Sequence, residues 1–197
     1  MRDPVRWALP GFVLAGPLHL FLVRCHVAVP WPLWFVIAPV TGFIVIQIVR
    51  WHFEGRDNGF RSPRRASLQA IIECGNLGHR PDAGDIAYQV YEVVFYQRPD
   101  WQALRDHGHR CREHTFLCRG MAVACATGVV LSLLGSGTLP ALAILYVLTL
   151  PPIGLVIHAK GRQTLAAFEL FDRGVVMTHW PLYEATLKAI VADSRAD

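Results

Sequence analysis

Histidine and cysteine alternate along one stretch of the chain in a pattern that could bind a metal ion. His107, Cys111, His114 and Cys118 follow one another at steps of four, three and four residues. These steps place the side chains on one face of an α-helix, and both residue types are ligands of zinc and of haem iron. The set extends over about 16 Å, because each helical residue adds about 1.5 Å. One ion could therefore reach only an adjacent pair, and a site on His107, Cys111 and His114 needs further ligands from elsewhere.

The remaining reactive residue types give weaker patterns. The five cysteines are an odd number without a CxxC pair, which disfavours a disulfide scaffold and favours a reducing compartment. No serine-elbow glycines, phosphate loop or repeated acidic metal motif occurs, which argues against hydrolases and nucleotide-binding proteins. We therefore expect a protein that is not an enzyme and has no cofactor. A metallo- or redox protein with zinc or haem on the histidine and cysteine stretch is the alternative, and simple helix packing of that stretch is another.

The composition is typical of a membrane protein. Of the 197 residues, 53% are hydrophobic and 17% are charged, and the mean hydropathy is +0.32. The apolar residues are clustered into uncharged runs, as membrane spans require. The formal net charge of +4 is explained by basic residues beside the membrane, and no nucleic-acid recognition motif accompanies it. We expect no nucleic-acid partner.

Four apolar runs are predicted to cross the membrane. They are Trp7 to Val23, Trp31 to Val49, Gly120 to Leu134 and Leu139 to Ile157. The connections within the first pair and within the second pair are short, so each pair is expected to form an antiparallel hairpin.

The polar stretch between the two hairpins is rich in arginine. Arg56, Arg61, Arg64 and Arg65 lie close together there, and the positive-inside rule places this stretch and both termini in the cytoplasm. Because arginine forks suit phosphate and carboxylate groups, these four residues are predicted to bind anionic lipid headgroups or an acidic partner. The alternative is that they are solvated charges without a specific partner.

The insert and the tail are predicted to be helical. One helix begins at Ser62 and Pro63 and ends at Gly75, and another runs from Asp82 to Gln97, where a strand is the alternative. The tail has one amphipathic helix that ends at Gly174 and a second that begins near Thr178. The expected fold class is thus all-α and membrane-integral, divided into a hairpin (1–49), an insert (50–118), a hairpin (119–158) and a tail (159–197).

The first 80 or so residues resemble a known family. Pro17-Leu18, His26 and Trp31 in a short hairpin are followed by Gly59-Phe60, Pro63, Leu68 and a stop near Gly78-His79-Arg80. This order resembles the IcmT-like inner-membrane proteins of Dot/Icm (type IVB) secretion and conjugation systems. The resemblance implies an accessory component of a type IV secretion or conjugation apparatus and no catalytic residues. The second hairpin and the tail extend beyond that family.

The sequence thus predicts a multi-pass protein of the bacterial inner membrane that assembles with other inner-membrane subunits. A second copy of the chain is a further expected partner. The insert and tail would dock a cytoplasmic partner or anionic lipid, because the insert is more apolar and aromatic than a solvated loop requires.

Overall fold

The structure is a computed structural model that describes residues 4–55, 62–96, 98–137 and 139–193. These described residues are almost entirely helical, with no strand among them. The helices are α1 (Pro4–Arg24), α2 (Trp31–Gly55), α3 (Ser62–Cys74), α4 (Ala83–Tyr91), α5 (Gln102–Gly135), α6 (Pro140–Thr178) and α7 (Trp180–Asp193). A π-turn (Glu92–Tyr96) follows α4, and a 3₁₀ turn (Pro99–Trp101) precedes α5. The expected all-α class is confirmed.

Four of these helices are long and apolar enough to cross a membrane. The qualifying stretches lie in α1, α2, α5 and α6, and those in α2 and α6 have the highest mean hydropathy, 2.1. Large apolar side chains on them point outward; Phe35 is 78% exposed and Leu155 is 70% exposed. Such exposure suits a surface covered by lipid rather than by water. The prediction of four membrane spans agrees with this result.

The chain divides into two compact units. We call Met1–Gly55 with Glu113–Gln163 the span unit, and Arg56–Arg112 with Thr164–Asp197 the insert unit. Both α5 and α6 contribute to each unit, since each helix continues past the end of its apolar run.

In the span unit, α1 and α2 approach each other at small residues. A Cβ atom added to Gly11 would overlap the carbonyl group of Ala38, and one added to Gly42 would lie 2.6 Å from the carbonyl oxygen of Ala8. Small residues allow this approach because lipid-embedded helices associate through close packing and not through hydrophobic exclusion from water.

The span-unit part of α5 packs against both of these helices. Gly120, Ala124 and Gly128 are buried on one face of it. A Cβ atom on Gly120 would lie 3.0 Å from Ile46, and one on Gly128 would lie 3.3 Å from Pro17. The recurrence of small residues at intervals of four therefore marks a helix contact in this structure.

The insert unit has a continuous apolar core. It includes Ile71 on α3, Val90 on α4, Val176 on α6 and Tyr183 on α7, each with no exposed surface. Aromatic side chains of the π-turn and the 3₁₀ turn join this core, including Phe95 and Trp101. The polar insert of the sequence thus contains a folded helical module.

Helix α3 ends directly before Gly75, as predicted, but its left-handed residue is one position later. Gly75 still donates to the Ile71 carbonyl, and Asn76 takes the left-handed conformation with φ of 52°. The amide of Leu77 then donates to the Ile72 carbonyl at 3.0 Å, and Leu77 itself is buried. This is a Schellman motif, in which asparagine serves at the left-handed position nearly as well as glycine.

The segment from Asp82 to Tyr96 is helical, so the strand alternative is wrong. Asp82 stands at the N-cap of α4 but makes no side-chain capping bond. Its carboxylate accepts two hydrogen bonds from Arg80 instead, at 2.8 and 2.9 Å. The charged partner competes successfully for the carboxylate because charge-assisted bonds are the stronger ones.

The tail also differs from its prediction, because α6 has no break after the apolar run. It continues through Gly161 and Gly174 to Thr178. Gly174 does not end the helix, and a Cβ atom there would meet no atom within 4 Å. The apolar side chains of Val175 and Val176 follow it directly and are buried in the insert-unit core, which favours continued helix.

Candidate docking surface

The four predicted arginines are described to different extents. Arg56 and Arg61 lie outside the described residues, and Arg64 lies in the first turn of α3 with its side chain outside the described part. Arg65 is exposed on α3. The opposite face of this helix is held in the core by Ser67, Ala70 and Ile71, each with 1% exposure or less. The orientation of α3 therefore fixes Arg65 on the outer surface of the insert unit.

A buried polar contact contributes to the orientation of α3. The Ser67 hydroxyl donates to Oδ2 of Asp172 on α6 at 2.7 Å, and these residues are 0% and 1% exposed. A buried carboxylate is costly unless it accepts hydrogen bonds. This pair specifies the register of α3 on α6, because a shift of α3 would leave the carboxylate without the serine donor.

Polar side chains continue along the outer face of α3. Gln69 donates to Glu73 at 3.1 Å, and Arg173 on α6 forms an ion pair with the same carboxylate at 2.9 Å. Arg65, Gln69 and Glu73 are spaced by four residues and are all exposed. The outer face of α3 is thus a polar stripe of both charge signs.

A groove of about 410 Å³ lies beside the C-terminal end of α3. Its lining is mainly apolar and includes Leu77, Trp180, Leu187 and Val191. Glu184 and Lys188 also line it and form an ion pair at 2.6 Å. A concave apolar surface with a few charged groups at its edge is typical of a site for an apolar side chain of a partner.

The turn that follows α4 is held by an arginine that the sequence analysis did not single out. Nη1 of Arg105 on α5 donates to the carbonyl oxygens of Phe95, Tyr96 and Arg98 at 3.0, 3.4 and 2.6 Å. These carbonyls belong to the π-turn and the residues after it, where regular helix bonding ends. Arg105 therefore closes the turn that carries Phe95 and Tyr96. No pattern in the sequence pointed to this role.

Tyr183 is the most deeply buried polar residue of α7. It has no exposed surface, its ring stands 6.2 Å from that of Trp101, and its hydroxyl has no hydrogen-bond partner among the described residues. Burial and the nearby charge of Asp172 raise the pKa of Tyr183 above its ordinary value. The hydroxyl faces no cavity among those described, so we assign it no chemistry.

The histidine and cysteine stretch lies on α5 as two separate pairs. The Cys111 sulfur is 3.5 Å from Nε2 of His107, and the Cys118 sulfur is 3.6 Å from Nε2 of His114. Burial raises the pKa of the Cys111 thiol despite the charge of Arg110, so the thiolate that a metal needs is disfavoured before metal binds. No group of three or more ligand side chains occurs among the described residues. Within the described residues, the fold therefore brings no further ligand side chain to His107, Cys111 and His114.

His19 and His26, which lie in and beside the first apolar run, have structural roles. His19 packs against two indoles, with ring centroids 5.6 Å from Trp31 and 5.7 Å from Trp34. His26 has φ of 60° and follows α1, where the amides of His26 and Val27 close a Schellman motif. Neither arrangement forms a chain of hydrogen bonds along which a proton could move.

Comparison with known proteins adds no functional assignment. No family model, no curated protein and no solved structure matches this chain.

Proposed function

We propose that this protein is a non-enzymatic membrane assembly component that docks a protein partner on its insert unit. The supporting observation is the 410 Å³ groove on a folded module whose helices are continuous with membrane spans. A loop that only connected spans would not need the buried core on which α3 and α7 are held. The spans form two hairpins in the bacterial inner membrane, and the insert, the tail and both termini are cytoplasmic.

Arg56, Arg61, Arg64 and Arg65 serve in this proposal as an additional contact for an acidic partner or for anionic headgroups. The exposure of Arg65 supports this role. The partner machine is a type IV secretion or conjugation apparatus, a proposal that rests on the order of residues in the first part of the chain.

A groove-filling substitution tests the docking role. Ala192 is exposed and lines the groove, whereas Ala189 is exposed on the same helix outside it. Ala192→Trp should displace a partner from the groove without removing any core side chain, and Ala189→Trp should have no effect. The protein would be expressed at its natural level and extracted in mild detergent, and its co-purifying proteins would be quantified by mass spectrometry.

The proposal expects a specific set of inner-membrane proteins with the wild type and with Ala189→Trp. At least a tenfold loss of that set is expected with Ala192→Trp. Equal recovery with both variants, or a wild-type protein that is extracted alone, would reject docking in this groove. Recovery of secretion or conjugation subunits would identify the machine.

The alternative function is a membrane metallo- or redox protein. The two close sulfur–nitrogen pairs on α5 favour it. It predicts zinc or a haem spectrum in the purified protein that is lost on changing His107, Cys111 or His114, while the unfolding temperature is retained. A folded protein that takes up neither zinc nor haem when each is supplied would exclude it.

A further inference from the structure

The span unit has an apolar groove between α5 and α6 that is separate from the docking groove. Its volume is about 480 Å³, and its walls are formed by small and aliphatic residues. They include Ala122, Ala126 and Val129 on α5, and Leu150, Gly154 and His158 on α6. The helices approach closely here, since a Cβ atom on Gly154 would lie 3.0 Å from Cβ of Cys125.

The length of the groove along α6 is slightly less than the thickness of one bilayer leaflet. Leu150 and His158 mark its ends on α6 and are eight residues apart, which corresponds to about 12 Å along a helix. The hydrocarbon core of a bilayer is about 30 Å thick, so one leaflet is roughly half of that. An acyl chain of a single leaflet therefore matches the groove in length, and a transmembrane helix of a partner would extend beyond it.

The two ends of the groove differ in charge. The helices are antiparallel here, because Gly154 faces Cys125 and Gly161 faces Cys118. Arg119, three residues before Ala122, and Arg162, four residues after His158, therefore extend the two walls at the same end.

Lys160 adds a further positive charge at this level, and both Lys160 and Arg162 are exposed. Across 113–135 and 140–163 the one carboxylate is Glu113. Glu113 precedes Arg119 by six residues, which is about 9 Å along the axis of α5 and farther from the groove. The opposite end at Val129 and Leu150 has no charged residue.

We propose that this groove binds one acyl chain of an anionic phospholipid, whose phosphate group is held by Arg162 and His158 at the basic end. The apolar walls exclude water and accept the chain, and the cations select the headgroup. This site is distinct from the arginines of the insert and does not depend on the docking proposal.

Native mass spectrometry of the full-length protein in mild detergent tests the site. The protein would be titrated with phosphatidylglycerol and, separately, with phosphatidylcholine of the same acyl chains. We expect phosphatidylglycerol to bind at least tenfold more tightly. The variant Arg162→Gln should lose roughly fivefold in phosphatidylglycerol affinity, because each basic residue near the surface contributes about that much. Its phosphatidylcholine affinity should not change.

Two control variants separate the groove from general lipid adhesion. Ala126 is exposed and lines the groove, and Ala141 is exposed on α6 outside it. Ala126→Phe should fill the groove and reduce binding of both lipids at least tenfold, whereas Ala141→Phe should bind both like the wild type. Arg24 is the last residue of α1 and lies beside Gly137, away from the basic end of the groove. Arg24→Gln should therefore not change the headgroup preference.

Two results would overturn the proposal. The first is an equal affinity of the wild type for the two lipids, and the second is unchanged lipid binding by Ala126→Phe. A change of the oligomeric mass in that variant, together with unchanged lipid binding, would show that the groove is a contact between protein helices. An unfolding temperature equal to that of the wild type would show that each variant is folded.

Discussion

At the scale of single residues, the insert unit is specified by a few polar groups inside an aromatic core. Ser67 and Asp172 fix α3 against α6 through one buried hydrogen bond, and Arg105 satisfies three carbonyl oxygens where helix bonding ends. The sequence does not reveal these roles, because Ser67 and Asp172 are 105 residues apart and the Arg105 bonds depend on how the chain turns before α5. Arg105 and Arg65 look alike in the sequence, yet one closes a turn and the other is exposed.

Replacing Tyr183 with phenylalanine should stabilise the insert unit. The Tyr183 hydroxyl is buried without a partner among the described residues, and a buried unsatisfied polar group costs about 1–3 kcal/mol. Phenylalanine keeps the ring contacts with Trp101 and removes that cost. We expect the free energy of unfolding to rise by about 1 kcal/mol, measured by thermal or denaturant unfolding in detergent at pH 7. Tyr183→Leu is the control for ring packing and should destabilise; a loss of stability in Tyr183→Phe as well would contradict the prediction.

The same residue should make the protein sensitive to alkali. The folded state raises the pKa of Tyr183, so the folded protein keeps the phenolic proton at pH values where the unfolded chain has released it. The free energy of unfolding is therefore unaffected by Tyr183 ionisation below the unfolded pKa of about 10, and it decreases as the pH rises above that value. Unfolding temperatures measured from pH 8 to pH 11.5 should therefore fall more steeply in the wild type than in Tyr183→Phe. Parallel curves would show that Tyr183 ionises equally in both states.

Arg105→Ala should destabilise the insert unit by about 1–3 kcal/mol, because the charge-assisted bonds to Phe95, Tyr96 and Arg98 are lost. Arg105→Lys should restore part of this, since lysine supplies the charge but not the planar fork. Arg110 lies on the same helix and is exposed, so Arg110→Ala should change stability by no more than about 0.5 kcal/mol. Chemical denaturation followed by circular dichroism gives the comparison. If Arg105→Ala and Arg110→Ala had equal effects, the turn would not depend on the arginine.

At the scale of helices, hydropathy and capping residues predict which helices form. They do not predict where each helix ends or which helices pack together. The four apolar runs all lie in long helices, and α3 begins at Ser62 as its turn residues indicate. Gly75 directly follows the end of α3, as predicted, although Asn76 takes the left-handed conformation there. The prediction that Gly174 ends a helix is wrong, because α6 continues through it. A glycine ends a helix only where the residues after it are more stable outside the helix. Val175 and Val176 are buried in the core as part of α6, which stabilises the continued helix.

Gly11→Leu should disrupt the contact between α1 and α2. A side chain at Gly11 would meet the backbone of Ala38, which cannot move aside as a flexible side chain can. We expect a loss of about 3 kcal/mol or more, because overpacking against backbone separates the helices. Gly174→Leu is a matched control, since that helical glycine has open space around it and leucine is the better helix former. Thermal unfolding in detergent should show a lower midpoint for Gly11→Leu alone. Equal midpoints would mean that α1 and α2 do not need this close approach.

At the scale of the whole molecule, the chain combines four helices that are long and apolar enough to cross a membrane with a folded helical unit. Two of the apolar helices, α5 and α6, belong to both units because they extend beyond their apolar runs. The distribution of arginine predicts on which side of the membrane the insert unit lies, and the helices themselves are compatible with either direction. The orientation is therefore a prediction that the chain's own cysteines can test.

Cys25 and Cys74 should lie on opposite sides of the membrane. Both thiols are exposed; Cys25 follows α1, and Cys74 is the last residue of α3 in the insert unit. A membrane-impermeant maleimide added to spheroplasts should label the protein through Cys25, and Cys25→Ser should abolish that label. Cys74→Ser should leave labelling of spheroplasts unchanged and reduce it once the membrane is permeabilised. Labelling of spheroplasts that depends on Cys74 instead of Cys25 would place the insert unit outside the cytoplasm, where neither the arginine argument nor a cytoplasmic partner could apply.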